Sequence, residues 1–169
     1  MNNNYSVAFF ELAKETNTLE KSYQSFSQFY QIFQSEKEIK NYLSSPLISV
    51  DDKKKIIDQM TDDSDFKYFL DVIIDNGEMN ELEDIYLSFK NSYQKFFRIK
   101  EVIIKTNKHL DEKELLHLKN ILDKKYPEYQ IELIEVIDEE ELFGYEVFID
   151  SKRISINIKD NVLEMKKNI

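Results

Sequence analysis

Two glycines, Gly77 and Gly144, and two prolines, Pro46 and Pro127, are all that interrupt this chain of 169 residues. Glycine supplies the left-handed backbone of tight turns and proline blocks helices, so a chain poor in both has few places to break regular structure. A largely helical protein with short connections is predicted. The same scarcity removes the Gly-rich phosphate loop and the dinucleotide fingerprint, which need several clustered glycines.

Through the first two thirds, apolar residues recur at intervals of three and four, the period of a helix with one buried face. Six helices are predicted there. The first, about Asn4 to Glu15, stacks Tyr5, Ala8, Phe9, Leu12 and Ala13 on one face, and Asn17 and Thr18 end it and cap the next. The second runs to about Ser35 with an aromatic stripe of Leu19, Tyr23, Phe26, Phe29, Tyr30 and Phe33. A short third passes through Ile39, Tyr42 and Leu43 before Pro46 blocks continuation. Ser49 and Asp52 read as a capping box opening a fourth, whose buried face would hold Val50, Ile56, Ile57 and Met60. The fifth, from about Asp65, carries Phe66, Phe69, Leu70, Ile73 and Ile74 and stops at Asn76-Gly77, a left-handed ending. The sixth, from about Asn80, continues through Leu82, Ile85, Phe89, Tyr93 and Phe96 toward Arg98.

After Arg98 the period changes. Val102, Ile103 and Ile104 form a β-branched run bounded by charges, which reads as a buried strand and places a domain boundary near residues 98–101. Asp111 as cap, Glu114 reaching back and Leu110 stapled on Leu115 start a helix that ends near Lys125, before Pro127. Strands follow at Gln130 to Ile137 and Tyr145 to Ile149, with a turn at Asp150, Ser151 and Lys152. Ile154, Ile156 and Ile158 alternate as a final strand, and Val162, Leu163 and Met165 suggest a terminal helix. The fold class is therefore mainly α with a small α/β part: an N-terminal six-helix bundle over residues 1–99, then a small C-terminal α/β domain over residues 100–169.

No catalytic constellation stands out. Without cysteine there is no thiol nucleophile, thiolate metal site or disulfide, which suits a reducing compartment. His109 at a strand end and His117 within a helix do not make the adjacent-turn pair of a helical zinc site. The acidic run Asp138 to Glu141 lacks the alternating ligands and central glycine of a calcium loop and reads as a solvated turn. With 33 acidic against 23 basic residues the formal charge is −10, which repels a phosphate backbone and disfavours nucleic-acid binding. Lys53 to Lys55 are offset by Asp51, Asp52 and Asp58, and the aromatic residues fall at core spacing rather than in a base-stacking array. The start, Met1 to Ser6, lacks the basic and apolar pattern of a signal peptide, and no apolar run approaches the ~18 residues of a membrane span. No catalytic residue, cofactor, metal or direct membrane insertion is expected.

Two helices carry more apolar residues than one face accounts for. Val7 and Phe10 lie away from the main stripe of the first, and Tyr68 and Val72 do so one turn apart on the fifth. Either both helices are central in the bundle, or one flank accepts an amphipathic partner helix. Periodicity alone fits both.

Tyr5-Ser6-Val7-Ala8-Phe9-Phe10-Glu11-Leu12-Ala13 is similar to the opening motif of the ATP synthase delta family, also called the oligomycin-sensitivity-conferring family. Leu43-Ser44-Ser45-Pro46-Leu47-Ile48-Ser49 followed by Lys53-Lys54-Lys55 resembles that family's Leu, Pro and Lys segment. Phe69 to Gly77 resembles its "FL…L…ENGR" stretch, and Val136 to Gly144 resembles a segment of Val, Asp, a spacer, then Leu, Ile, Gly, Gly. Together they span essentially the whole chain. The chain departs from the pattern at Glu78, where the family has Arg, at Tyr145, where it has a second Gly, and at Ser155-Ile156-Asn157, where it has Asp-Gly-Ser. Those departures keep open a delta-like paralogue in another rotary ATPase assembly, and an unrelated helical interaction module is the rival of a different class.

The resemblance implies a non-catalytic stator subunit of a proton-translocating F-type ATP synthase, monomeric within the complex and peripheral on the cytoplasmic face of the membrane. Residues 1–99 would grip the N-terminal helix of an alpha subunit on the catalytic head. Residues 100–169 would hold the b subunits of the peripheral stalk. Apolar surplus together with the family analogy points to Tyr5, Ala8, Phe9, Val72, Ile73 and Asn76 as the residues at the alpha-binding groove.

Overall fold

Helix follows helix through the first hundred residues with little loop between them. The computed structural model describes residues 4–137, 145–149 and 152–154, and the chain divides into two compact units, Met1–Lys95 and Phe96–Ile169. The first unit holds α1 (Asn4–Glu15), α2 (Leu19–Ser35), α3 (Lys37–Ser44), α4 (Val50–Met60), α5 (Ser64–Asp75), a 3-10 turn (Met79–Glu81) and α6, which runs from Leu82 to Phe97.

The connections stay short because the helix ends are closed locally. Asn17 (φ 55°) and Gly77 (φ 72°) take up the left-handed conformation just past α1 and α5. At each, paired bonds satisfy the last carbonyls: Thr18 N–H donates to the Ala13 carbonyl at 2.8 Å, and Glu78 N–H to that of Ile73 at 3.0 Å. The expected caps are met unevenly. Ser49 Oγ accepts from Asp52 N–H, but the Asp52 carboxylate takes the Ser49 hydroxyl proton at 2.8 Å rather than the backbone N–H, so the box is half formed. Thr18 precedes α2 without a side-chain cap bond. α5 opens at Ser64 with Asp63 as its cap, one residue ahead of the expected start at about Asp65.

An aromatic cluster joins four helices. Phe26 of α2 is fully buried and meets Phe9 of α1 at 6.4 Å, Phe66 and Phe69 of α5 at 5.2 and 5.5 Å, and Phe89 of α6 at 5.6 Å between ring centroids. Tilted and edge-on pairs of this kind add about 0.5–1.5 kcal/mol each beyond simple burial.

The buried stripe of α1 is Ser6, Phe9, Phe10 and Ala13. It is rotated from the expected one: Phe10 lies inside and Leu12 is 44% exposed. The cause is α6, where Ser88 pairs with Ser6 at 3.0 Å and Phe89 meets Phe10 edge-on at 6.1 Å. Val50 and Phe96, also expected inside, are 40% and 50% exposed.

In the second unit, β1 (Ile99–Thr106), α7 (Glu112–Lys125), β2 (Gln130–Ile137), β3 (Tyr145–Ile149) and β4 (Lys152–Ile154) build a sheet ordered β2-β1-β3-β4. β1 and β2 run parallel, so α7 serves as their crossover, while β3 is antiparallel to β1. Alternate residues Val102 and Ile104, with Ile131, Val147 and Ile149, bury against Leu118 and Leu122 of α7. Asp111 and Glu114 form the complete capping box anticipated for α7. The acidic run at 138–141, the turn at Asp150 and Ser151, the later part of the final strand at Ile156 and Ile158, and the terminal helix all lie outside the described residues.

Asp63 ties α2 to α5. It is 5% exposed, accepts from Ser25 Oγ at 2.7 Å, lies 3.2 Å from Lys21 Nζ and caps Phe66 N–H. Burial pushes its carboxyl up, but the bonds from Ser25, Lys21 and Phe66 outweigh that and hold it below its ordinary value near 3.8. Asp63→Ala is expected to cost about 1–3 kcal/mol in denaturant unfolding. Because the folded value is depressed, the charged form's contribution is complete above the ordinary value and fades as pH falls through the lower one. The wild-type advantage over Asp63→Ala should therefore shrink in parallel unfolding curves taken from neutral to strongly acid pH.

Candidate partner-binding face

α1 and α5 meet through Phe9, which packs on Phe66 at 5.9 Å and on Phe69. Phe9 and Phe69 stack face to face, with centroids 4.2 Å apart and an interplanar angle of 12°. Both are buried, at 3% and 7% exposure. Beside Phe9 on α1, Ala8 and Leu12 are one turn apart and both exposed. Beside Phe69 on α5, Tyr68, Val72 and Asn76 succeed one another at intervals of one turn, and Tyr68 is 69% exposed.

The six residues expected at this site therefore separate by role. Ala8 and Asn76 are exposed, Tyr5 and Val72 are half-buried, and Phe9 and Ile73 are buried in the core. Phe9 and Ile73 can support a contact from beneath but cannot present a surface. Asn76 is held by its own helix end, Nδ2 donating to the Val72 carbonyl at 2.8 Å. Leu12 was assigned to the core by its period and instead stands outward next to Ala8. Tyr68 carried a sequence signal in its off-stripe position but was not placed at the site.

The neighbouring flank of α5 is occupied by ion pairs. Lys54 of α4 lies 2.7 Å from Asp75, and Lys67 lies 3.3 Å from Asp58 of α4. Burial first, then the charges of Asp75 and Asp58, raise the Asp71 carboxyl despite Lys54 and Lys67. Polar pairing covers that flank of α5, beside the row of Tyr68 and Val72.

Tyr5 sits at the end where α5 finishes. Together with Asn4, Glu78, Glu81, Asp84 and Lys95 it lines a cleft of about 650 Å³. Burial and a hydrogen bond donated to the Glu78 carboxylate, with the charges of Glu78 and Glu81, hold its phenol above the ordinary value of 10.0. It is therefore a proton donor throughout the neutral range.

Nothing in this geometry resembles a reaction centre. His109 is exposed beside Glu135 at 3.5 Å. Among the described residues no group of three or more His, Asp or Glu side chains converges to hold a metal ion, and no helix is long and apolar enough to cross a membrane. An apolar helix flank bordered by polar ends suits a helical protein segment.

Residues 1–169 match the family of the ATP synthase delta (OSCP) subunit. ATP synthase subunit delta of Natranaerobius thermophilus is 28% identical over 167 residues, covering 98% of this chain and 93% of that protein. The subunit of the same name from Mycoplasma mobile is 27% identical over 171 residues, covering 99% and 94%. A chain in the cryo-EM structure of the Toxoplasma gondii mitochondrial ATP synthase hexamer superposes with a TM-score of 0.74 at 17% identity, over 98% of this chain and 96% of that one. That likeness is one of fold. The whole-length family match removes the alternative of an unrelated helical module.

The division between surface and support can be read from stability. Ala8→Arg and Val72→Arg should leave the thermal midpoint within a few degrees of wild type, as surface substitutions do. Phe9→Ala and Ile73→Ala should cost about 2–5 kcal/mol. Equal losses from all four in thermal denaturation would show that Ala8 and Val72 are core residues.

Proposed function

The chain belongs to the ATP synthase delta (OSCP) subunit family, and from that premise we propose that it is a non-catalytic stator subunit of a proton-translocating F-type ATP synthase. It links the catalytic alpha/beta head to the peripheral stalk so that rotation is coupled to ATP synthesis or hydrolysis. The observation that carries this is the family match over the full 169 residues. The likeness to a chain of a solved ATP synthase supports the fold.

In this reading the six helices of residues 1–99 form the head-binding bundle, and the α/β unit of residues 100–169 holds the b subunits. The N-terminal helix of an alpha subunit lies between α1 and α5, over the Phe9–Phe69 stack. Ala8 and Leu12 form one wall, Tyr68, Val72 and Asn76 the other, and Tyr5 stands at one end. Small Ala8 permits close approach, Tyr68 offers the aromatic surface from which hot spots are built, and Leu12 adds apolar area beside Ala8. The subunit stays peripheral on the cytoplasmic face of the membrane and is monomeric in the complex.

A stator works by not yielding. Its interactions lower no reaction barrier; they hold the head against the torque of the central shaft, so interface burial and stiffness are the relevant quantities.

Calorimetric titration with a peptide copying the N-terminal helix of the same organism's alpha subunit tests the docking. Saturable one-site binding with a negative heat-capacity change is expected. Ala8→Arg or Val72→Arg, in protein shown to be folded, should weaken it at least about tenfold. Absence of binding by the folded wild type at high micromolar peptide would favour a delta-like paralogue serving another rotary assembly.

A further inference from the structure

We infer that Glu78 is a specificity-determining residue of the α1–α5 docking face, selecting a partner helix that carries a lysine or arginine at the Tyr5 end. This rests on the docking proposed above and adds the charge the occupant must present.

Three observations converge on Glu78. It directly follows the left-handed Gly77 that ends α5, with its own N–H fixed on the Ile73 carbonyl at 3.0 Å. Its backbone position is therefore set by the helix end and not by a free loop. It is half-buried and lines the same cleft as Asn4 and Tyr5, which places it beside the first turn of α1. A carboxylate has more acceptor sites than one hydroxyl fills, so capacity for a cationic donor remains. Glu81 and Asp84 line the same cleft, with Lys95 the cation among its lining residues. The field at this end is therefore set by carboxylates.

The sequence sharpens the point. The stretch ending in Asn76-Gly77 follows the family pattern up to the position where that pattern has arginine and this chain has glutamate. The sign of charge at a fixed place beside the docking face is thereby reversed. Opposed charges across an interface select partners and steer encounter, and like charges exclude.

The test is a charge-swap cycle on the full chain. The peptide copying the cognate alpha N-terminal helix, and the same peptide with its Lys and Arg residues changed to Glu, are titrated into wild type, Glu78→Gln and Glu78→Arg. Circular dichroism confirms that each variant is folded. Glu78→Arg is expected to weaken the cognate peptide about tenfold at low salt and less at high salt, and to bind the charge-reversed peptide better than wild type does. Glu78→Gln keeps an acceptor for Tyr5 but no charge and should fall between the two. If wild type and Glu78→Arg bind each peptide within about twofold, or if the cognate helix carries no Lys or Arg, charge selection by Glu78 is overturned while the docking stands. If wild type binds neither peptide, the docking reading fails, and this inference with it.

Discussion

Phe26 is the residue around which the first unit is arranged. A ring with no exposed surface, touching aromatic side chains from α1, α5 and α6, leaves each of those helices little freedom of rotation or translation. Close-packed interiors transmit small displacements instead of absorbing them. The Phe9–Phe69 stack is one consequence. It is part of the core and at the same time the floor beneath the exposed rows of α1 and α5. Core rigidity and the shape of the docking face are therefore the same property seen from two sides.

Much of this was legible in the residues. Stripes at intervals of three and four located the α-helices of the first unit because each buries one face, four of them against the aromatic cluster around Phe26. The Asp111 box and the Asn76-Gly77 stop were readable because caps depend on local chemistry. What failed depended on neighbours. On α1, Tyr5-Ala8-Leu12 and Ser6-Phe10-Ala13 both fit a helical period and both border Phe9, so period alone cannot say which row turns inward. Ser88 and Phe89, far along the chain, decide it. Val50 heads α4 with apolar spacing, yet it lies at a helix end where no partner covers it to full burial.

The candidate site was half legible for a related reason. An all-round apolar helix fits either centrality or an exposed apolar flank, and α1 and α5 have both buried and exposed apolar residues. Phe9 and Ile73 are buried, and Ala8 and Asn76 are exposed. Family likeness pointed to α1 and α5 without separating the buried residues from the exposed ones. Glu78 was visible as a departure from the pattern, but its meaning needed Tyr5 beside it. A single substitution in a motif acquires physical content only when its spatial neighbour is known.

The contact between Ser6 and Ser88, 3.0 Å between hydroxyls, reaches further than one hydrogen bond. It lies on the inner side of α1, and turning that helix about its axis by one position, ~100°, would pull Ser6 away and leave Ser88 without this partner. The pair therefore acts as an angular stop. Two small hydroxyl side chains, Ser6 buried and Ser88 half-buried, keep Leu12, on a different side of the same helix, facing outward.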